Sequence, residues 1–313
     1  FFYHKNFFNK ILIIWALTLF ILTIDTYIES FNGTNILGYG ELYGKRIVSF
    51  FKDEPIVGGY INTFYLLIVG YFFSLSDKFS RNYKYLILVV SLFFLIAILL
   101  TGERSNAIKA ILGFLIFFLI NDYFKIKEKL ISILLAAVLI GSLINSSDFL
   151  KLRYKSQFLD PILTIYYSDV RKIEDKKNAG LGIYANHYRS GYSVFKNYPF
   201  FGVGNKNYRL ETCTEIKKNE YICNTHPHQI YFEFLAEHGF IGTIILLFIL
   251  FNLTFGKLKI ILKSKNYIQI GCFIFLFNVF IPFLPSGAFF GDYSSTIFWL
   301  NLSLMYSVNR ETN

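Results

Sequence analysis

Thr225-His226-Pro227-His228-Gln229 brings together the residue types needed for proton transfer at the mouth of a helix. Thr225 or His226 can cap a helix, Pro227 suits its first position, and an uninterrupted apolar stretch follows. The spacing predicts His228 in the first helical turn. Free backbone N–H groups and the positive end of the dipole make such a turn a seat for phosphate. The same dipole disfavours an imidazolium, which keeps His228 neutral and able to accept a proton. One arginine can supply complementary chemistry, because a guanidinium fork grips phosphate better than an ammonium does. Arg104 lies beside Glu103 in the polar turn Thr101-Gly102-Glu103-Arg104-Ser105-Asn106, where it reads equally as a phosphate ligand or as a snorkelling interfacial anchor. Arg189 lies midway along 181–198, an amphipathic stretch. Its Tyr184, Tyr188, Tyr192 and Phe195 form a stripe suited to packing or to the lipid headgroup level. Cys213 and Cys223, with nine residues between them, read as a structural disulfide of an oxidising compartment. A metal site using His226 and His228 is the alternative, although C-x9-C-x2-H-x-H fits no established zinc spacing.

The elements that must position these groups are membrane helices. Hydrophobic residues make up 54% of the 313 and charged residues 17%, with 37 Phe, 23 Tyr and 2 Trp. So much apolar surface cannot be hidden in one soluble core of this size. The fold class expected is an all-α polytopic membrane protein. Eight apolar runs approach the length of a span: 7–24, 57–75, 85–101, 107–121, 130–145, 239–255, 267–284 and 293–309. With the N-terminus in the cytoplasm, the inner connections hold thirteen Lys and Arg, among them Lys78, Arg81 and Arg310. The short outer ones hold only Lys45, Arg46, Lys52 and Arg104, which fixes this orientation by the positive-inside rule. The organisation expected is five spans in 1–145, an outer domain in 146–229 and three spans in 230–313. The outer domain carries 13 Lys/Arg against 8 Asp/Glu. That surplus suits an anionic ligand, although solvated residues such as Lys176 and Lys177 account for much of it. Pro199 ends the 181–198 helix, and Gly202-Val203-Gly204 follows as a turn. Gly239 and Gly242 lie 11 and 14 residues after His228, about 20° and −40° from it round a helix. On that stripe they predict close approach of a neighbouring helix.

Taken together, His228-Gln229, nine residues, Gly239, two residues and Gly242 resemble the His-[Asn/Ser/Gln]-x9-Gly-x2-Gly pattern of the O-antigen ligase and polymerase family of bacterial lipopolysaccharide assembly. Arg104 with Ile108 resembles the family's Arg-x3-Leu element, with Ile in place of Leu. Arg189, followed by Pro199 and Gly202-Val203-Gly204, is similar to the arginine and Pro-x-x-Gly-x-Gly stretch of its large periplasmic loop. The resemblance covers roughly 25–250. Family members carry more than eight spans, and the chain opens on Phe1 rather than Met, so further spans are expected upstream. The resemblance implies inverting, metal-independent glycosyl transfer at the periplasmic face of the bacterial inner membrane, with no cofactor. The donor it implies is a glycan on undecaprenyl diphosphate. The acceptor is a sugar hydroxyl of lipid A–core in a ligase, or a lipid-linked repeat unit in a polymerase. Membrane lipid is a partner and nucleic acid is not. His228 is implied as the general base and Arg104 and Arg189 as diphosphate ligands. His226, Gln229, Glu103, Gly239 and Gly242 would support them. A lipid-linked glycan transporter is the reading of a different class; it calls for charges or broken helices at mid-membrane.

Overall fold

The computed structural model describes residues 5–40, 46–52, 54–76, 82–159, 180–214 and 220–307. Lys45, Lys78, Arg81 and Arg310 of the charge count, and Lys176 and Lys177, lie outside them. All regular structure among the described residues is helical. The long apolar stretches become α1 (Lys5–Asn32), α2 (Val57–Leu75), α3 (Tyr83–Leu100), α4 (Arg104–Ile120) and α5 (Ile126–Ser146). A short π-helical stretch, Lys151–Leu159, comes after them. Next are α6 (Gly180–Asn197), α7 (Tyr208–Thr212), α8 (Ile230–Phe255), α9 (Leu258–Ser264), α10 (Tyr267–Val279) and α11 (Asp292–Ser307).

Among the described residues, five helical stretches are long and apolar enough to cross a membrane: Phe7–Asn32, Val57–Leu75, Tyr83–Leu100, Ile126–Ser146 and Ile230–Ser264. The other three apolar runs correspond to α4, α10 and α11, of 17, 13 and 16 residues. At 1.5 Å per residue these reach about 26, 20 and 24 Å, short of a hydrocarbon core of about 30 Å. The run at 267–284 stops being helical at Val279. Pro282 and Pro285 lack the amide N–H that a helix needs, and 280–291 is irregular.

The chain divides into two compact units. The first comprises Phe1–Lys155, Leu258–Asn278 and Asn301–Asn313; the second comprises Ser156–Lys257 and Val279–Leu300. In the first, α2 is the most enclosed of the candidate spans. A Cβ on Gly70 would lie 2.2 Å from the Tyr267 carbonyl oxygen, and one on Gly271 would lie 2.3 Å from that of Leu66. Here α2 and α10 touch main chain to main chain, the close crossing that small residues permit. α1 runs past the apolar stretch to Asn32 because Asp25 and Glu29 find partners in the following turn. Asp25 accepts from Ser49 Oγ (2.5 Å) and Ile36 N (3.0 Å), and Glu29 accepts from Val48 N (2.9 Å) and Ser49 N (2.6 Å). α5 exposes Leu130, Ile131, Leu134 and Val138, a face suited to lipid.

In the second unit, α6 packs along the first turns of α8, and the 280–291 segment covers the same end. Tyr188 stacks on Phe232 with ring centroids 5.4 Å apart. Gly191 admits Pro227, whose Cβ would be 2.8 Å from an added methyl. Tyr231 OH donates to the Phe280 carbonyl (2.7 Å), and Phe289 N donates to the buried Glu233 carboxylate (2.9 Å). The aromatic stripe of α6 therefore splits. Tyr184 and Tyr188 face α8, while Tyr192 is exposed under Lys196, whose Nζ sits 4.9 Å from its ring centre.

Candidate active site

His228 sits just before α8 rather than inside it. Its φ is +57°, a left-handed conformation uncommon outside glycine. The helix cap is Gln229, in extended conformation, whose Oε1 accepts from Tyr231 N (2.8 Å) and Phe232 N (3.1 Å). The expected start at Pro227 is thus displaced, because His228 turns the chain out of the helical path. This also explains the capping residue types at the second position of the resembled pattern, since each carries a side-chain acceptor. The strained turn is held from outside by Ser286 N, which donates to the His228 carbonyl at 2.9 Å.

Three imidazoles meet at this point. The ring centroid of His228 lies 4.2 Å from that of His226 and 4.7 Å from that of His187 on α6. Tyr184 stands edge-on to His228 at 6.1 Å. Burial, and then the neighbouring His226 and His187, push the His228 pKa down to about 4. Burial also lowers His226 and His187. Desolvation, more than the helix dipole, keeps His228 neutral. His226 Nε2 lies 3.3 Å from the Ser286 carbonyl, and its Nδ1 lies 2.9 Å from Thr225 Oγ1. His187 Nδ1 is buried without a hydrogen-bond partner. No motif points to His187, whose only signal is its place one turn of α6 before Gly191. Among the described residues no group of three His, Cys, Asp or Glu is disposed to hold a metal ion.

Cys213 and Cys223 are joined, with Cα atoms 4.5 Å apart. The thiolates that a shared metal site with His226 and His228 would require are therefore committed elsewhere. Ile222 N donates to Ser190 Oγ (2.9 Å), which also meets the buried Tyr208 OH at 2.6 Å. These contacts fix the segment leading to His228 against α6 and α7. Arg189 does not join the imidazoles. It is exposed, and at about 100° per residue it stands roughly 160° round α6 from both His187 and Gly191.

The two glycine patterns form one interlock. Gly239 has φ 62° and ψ −169° and breaks α8 from within. The N–H groups freed by the break are satisfied from the 199–204 turn: Phe240 N donates to the Pro199 carbonyl (2.7 Å) and Ile241 N to that of Phe200 (3.2 Å). In return, Val203 N donates to the Ala236 carbonyl (3.0 Å) and Gly204 N to that of Glu237 (2.8 Å). A Cβ on Gly239 would lie 2.3 Å from Phe200 C, and one on Gly202 would lie 2.3 Å from Glu237 C. The expectation of a helix seated on Gly239 and Gly242 is overturned: the partner of Gly239 is a loop backbone. A Cβ on Gly242 would meet only His238 of its own helix, at 2.7 Å.

In the first unit, Glu103 is buried and braces the start of α2, accepting from Gly58 N (2.7 Å), Gly59 N (3.2 Å) and Asn106 Nδ2 (2.6 Å). Arg104, half-buried, opens α4. Arg153 Nε donates to the Gly102 carbonyl (3.0 Å) and Arg46 Nη2 to that of Pro55 (3.0 Å). All three cations act on Tyr154, whose phenol is raised chiefly by burial and further by Glu103. Arg46 and Arg153 carry no motif and were not anticipated.

Compared with known families, residues 89–247 match the family model described as O-antigen ligase, 159 of the 313 residues. Comparison with curated proteins gives no match.

Proposed function

The chain belongs to the O-antigen ligase family, and on that premise we propose that it transfers a glycan from undecaprenyl diphosphate to a sugar hydroxyl of lipid A–core. As a family member with apolar helices of spanning length it is an integral membrane protein, of O-antigen ligase or polymerase type. The finer reading rests on one observation: the motif histidine is held uncharged, at a pKa of about 4, in a strained turn at the entrance of α8.

In the proposed reaction His228 takes the proton of the acceptor hydroxyl as its oxygen attacks C1 of the donor sugar. The C1–O bond to the diphosphate breaks with inversion, and the electron pair leaves on the diphosphate. A group of pKa about 4 is a weak base in the resting protein. An arriving diphosphate favours the imidazolium and so moves the pKa toward the range in which a base works at neutral pH. Arg189 and Arg104 are assigned to the diphosphate from the resemblance of their motifs, where they would offset charge on the leaving group. Gln229 and the Gly239 interlock support His228 by fixing the helix entrance. Gly242 supports it through the turn that follows the break. The location proposed is the inner membrane with the site facing the periplasm, which the Cys213–Cys223 bond supports because disulfides persist in oxidising compartments.

The test is a deletion strain complemented with wild-type protein or with His228→Ala and read on a lipopolysaccharide gel. Bare core in the deletion and in the His228→Ala strain, with variant protein accumulating normally, is expected. Core bearing a single repeat unit would instead identify a polymerase. Full-length O-antigen in the variant would remove His228 from the chemistry.

A further inference from the structure

An imidazole offers two nitrogens, and the contacts around His228 tell them apart. The side-chain amide nitrogen of Asn224 lies 3.1 Å from His228 Nε2. Oxygen and nitrogen of an asparagine amide are distinguished by their hydrogen-bond partners. Here the partner is unambiguous, because Asn224 Oδ1 accepts from the backbone N–H of Thr225 at 2.7 Å, with the Thr225 hydroxyl 3.3 Å away. A backbone N–H only donates, so the oxygen must face Thr225 and the NH2 must face the imidazole. A donor opposite Nε2 requires a lone pair there, which leaves the proton of the neutral ring on Nδ1.

We propose that Asn224 is a positioning residue that holds His228 as its Nδ1–H tautomer and marks Nε2 as the atom that accepts the proton from the incoming hydroxyl. This deepens the reading of His228 as the base and rests on it. The Asn224 N–H occupies, in the resting protein, the place the acceptor O–H takes in the reaction: a donor about 3 Å from Nε2. On binding, the hydroxyl displaces that N–H and donates to Nε2. As its oxygen bonds to C1, the proton passes to Nε2, and the ring becomes an imidazolium protonated at both nitrogens.

Asn224 is placed well for this. It follows Cys223, which is bonded to Cys213, and Ile222 is held by Ser190 of α6. A positioning group is only as precise as the elements that hold it, and this one is tethered on two sides. The titratable groups facing the ring are His187 and Tyr184 from α6 and His226 from its own segment. Their rings approach as faces and edges, whereas the hydrogen bond at Nε2, the contact that fixes the tautomer, is made by Asn224.

The experiment uses the full chain in lipid nanodiscs with 15N-labelled histidine, the His228 signals being assigned by their loss in His228→Gln. At pH 7 the expected spectrum has a protonated Nδ1 and an unprotonated Nε2; the reverse assignment overturns the proposal. Asn224→Asp places an acceptor opposite Nε2, so the tautomer should invert and the acid limb of the transfer–pH profile should move up by a unit or more. Transfer at pH 7 should fall about tenfold or more. An unchanged tautomer and profile in Asn224→Asp would also overturn it. The wild-type spectrum needs neither turnover nor a folded variant. An active His228→Ala enzyme would refute the base, while a protonated Nε2 would refute only the role of Asn224.

Discussion

Replacing Gly239 by alanine should do far more damage than its size suggests. The backbone at φ 62° and ψ −169° lies in a region that residues with a Cβ essentially do not occupy, at a cost of about 1–3 kcal/mol. The added methyl would lie 2.3, 2.4 and 2.5 Å from Phe200 C, Phe200 O and Phe201 N. All three are main-chain atoms, so no side-chain rotation relieves the overlap. The 199–204 turn must move away, breaking the bonds from Phe240 N and Ile241 N to Pro199 and Phe200. Two amide groups left without partners cost about 1–3 kcal/mol each, for a total of roughly 3–9 kcal/mol. Gly141→Ala is the internal control, because nothing lies within 4 Å of its Cβ and the residue sits in α5. That exchange should be neutral or stabilise by about 0.5–1 kcal/mol. Thermal challenge of detergent-solubilised protein, followed by size-exclusion chromatography, reads the difference. Gly239→Ala should lose about 6 °C or more in apparent Tm, and most of its transfer activity. If Gly239→Ala and Gly141→Ala behave alike, the interlock of the two glycine motifs does not exist.

The kcat/KM for transfer should persist as pH falls from 7 to 5, with its acid limb near pH 4, set by the free enzyme, rather than near the usual histidine value of 6.5. Because the folded pKa lies below the unfolded one, His228 also lowers folding stability as pH falls from about 6.5 to 4 and contributes no such loss above 6.5. A profile in kcat/KM with its acid limb at 6.5 would contradict the burial of that ring. Cys213→Ser with Cys223→Ser should cost roughly 3 kcal/mol, from loop closure across a separation of 10 residues, and should lower transfer by releasing the segment before His228. Thermal challenge without reductant measures it. Glu103→Ala should destabilise the start of α2 by roughly 2 kcal/mol or more, since Gly58 N and Gly59 N lose their acceptor. Glu103→Gln, which keeps one acceptor, should recover about half of that in the same assay.

The helical class and the long spans were legible because twenty-odd apolar residues in a row have few other fates. The pairing of Cys213 with Cys223 was legible for a similar reason, two nearby thiols in a segment expected outside the cytoplasm. What pattern alone could not carry is backbone geometry. His228 takes a left-handed turn, so α8 begins at Ile230 and Gln229, not Thr225 or His226, is its cap. Gly239 reads as a packing glycine by spacing, yet it breaks the helix, because its bonding partner at 199–204 is forty residues away in sequence. The close helix crossing exists, but at Gly70 and Gly271, where neither sequence neighbourhood announces it. His187 was missed for the same reason. A single histidine in an amphipathic helix has no spacing relation to His228 until α6 is laid against α8.

The most direct measurement is single-turnover transfer by purified protein in liposomes, with undecaprenyl-diphosphate glycan as donor and lipid A–core as acceptor, comparing wild type with His228→Gln. The variant keeps a neutral polar side chain and loses only the base. A fall of about 10²-fold or more at pH 7 is expected, with the disulfide and thermal stability intact. Transfer within a few-fold of wild type would contradict it.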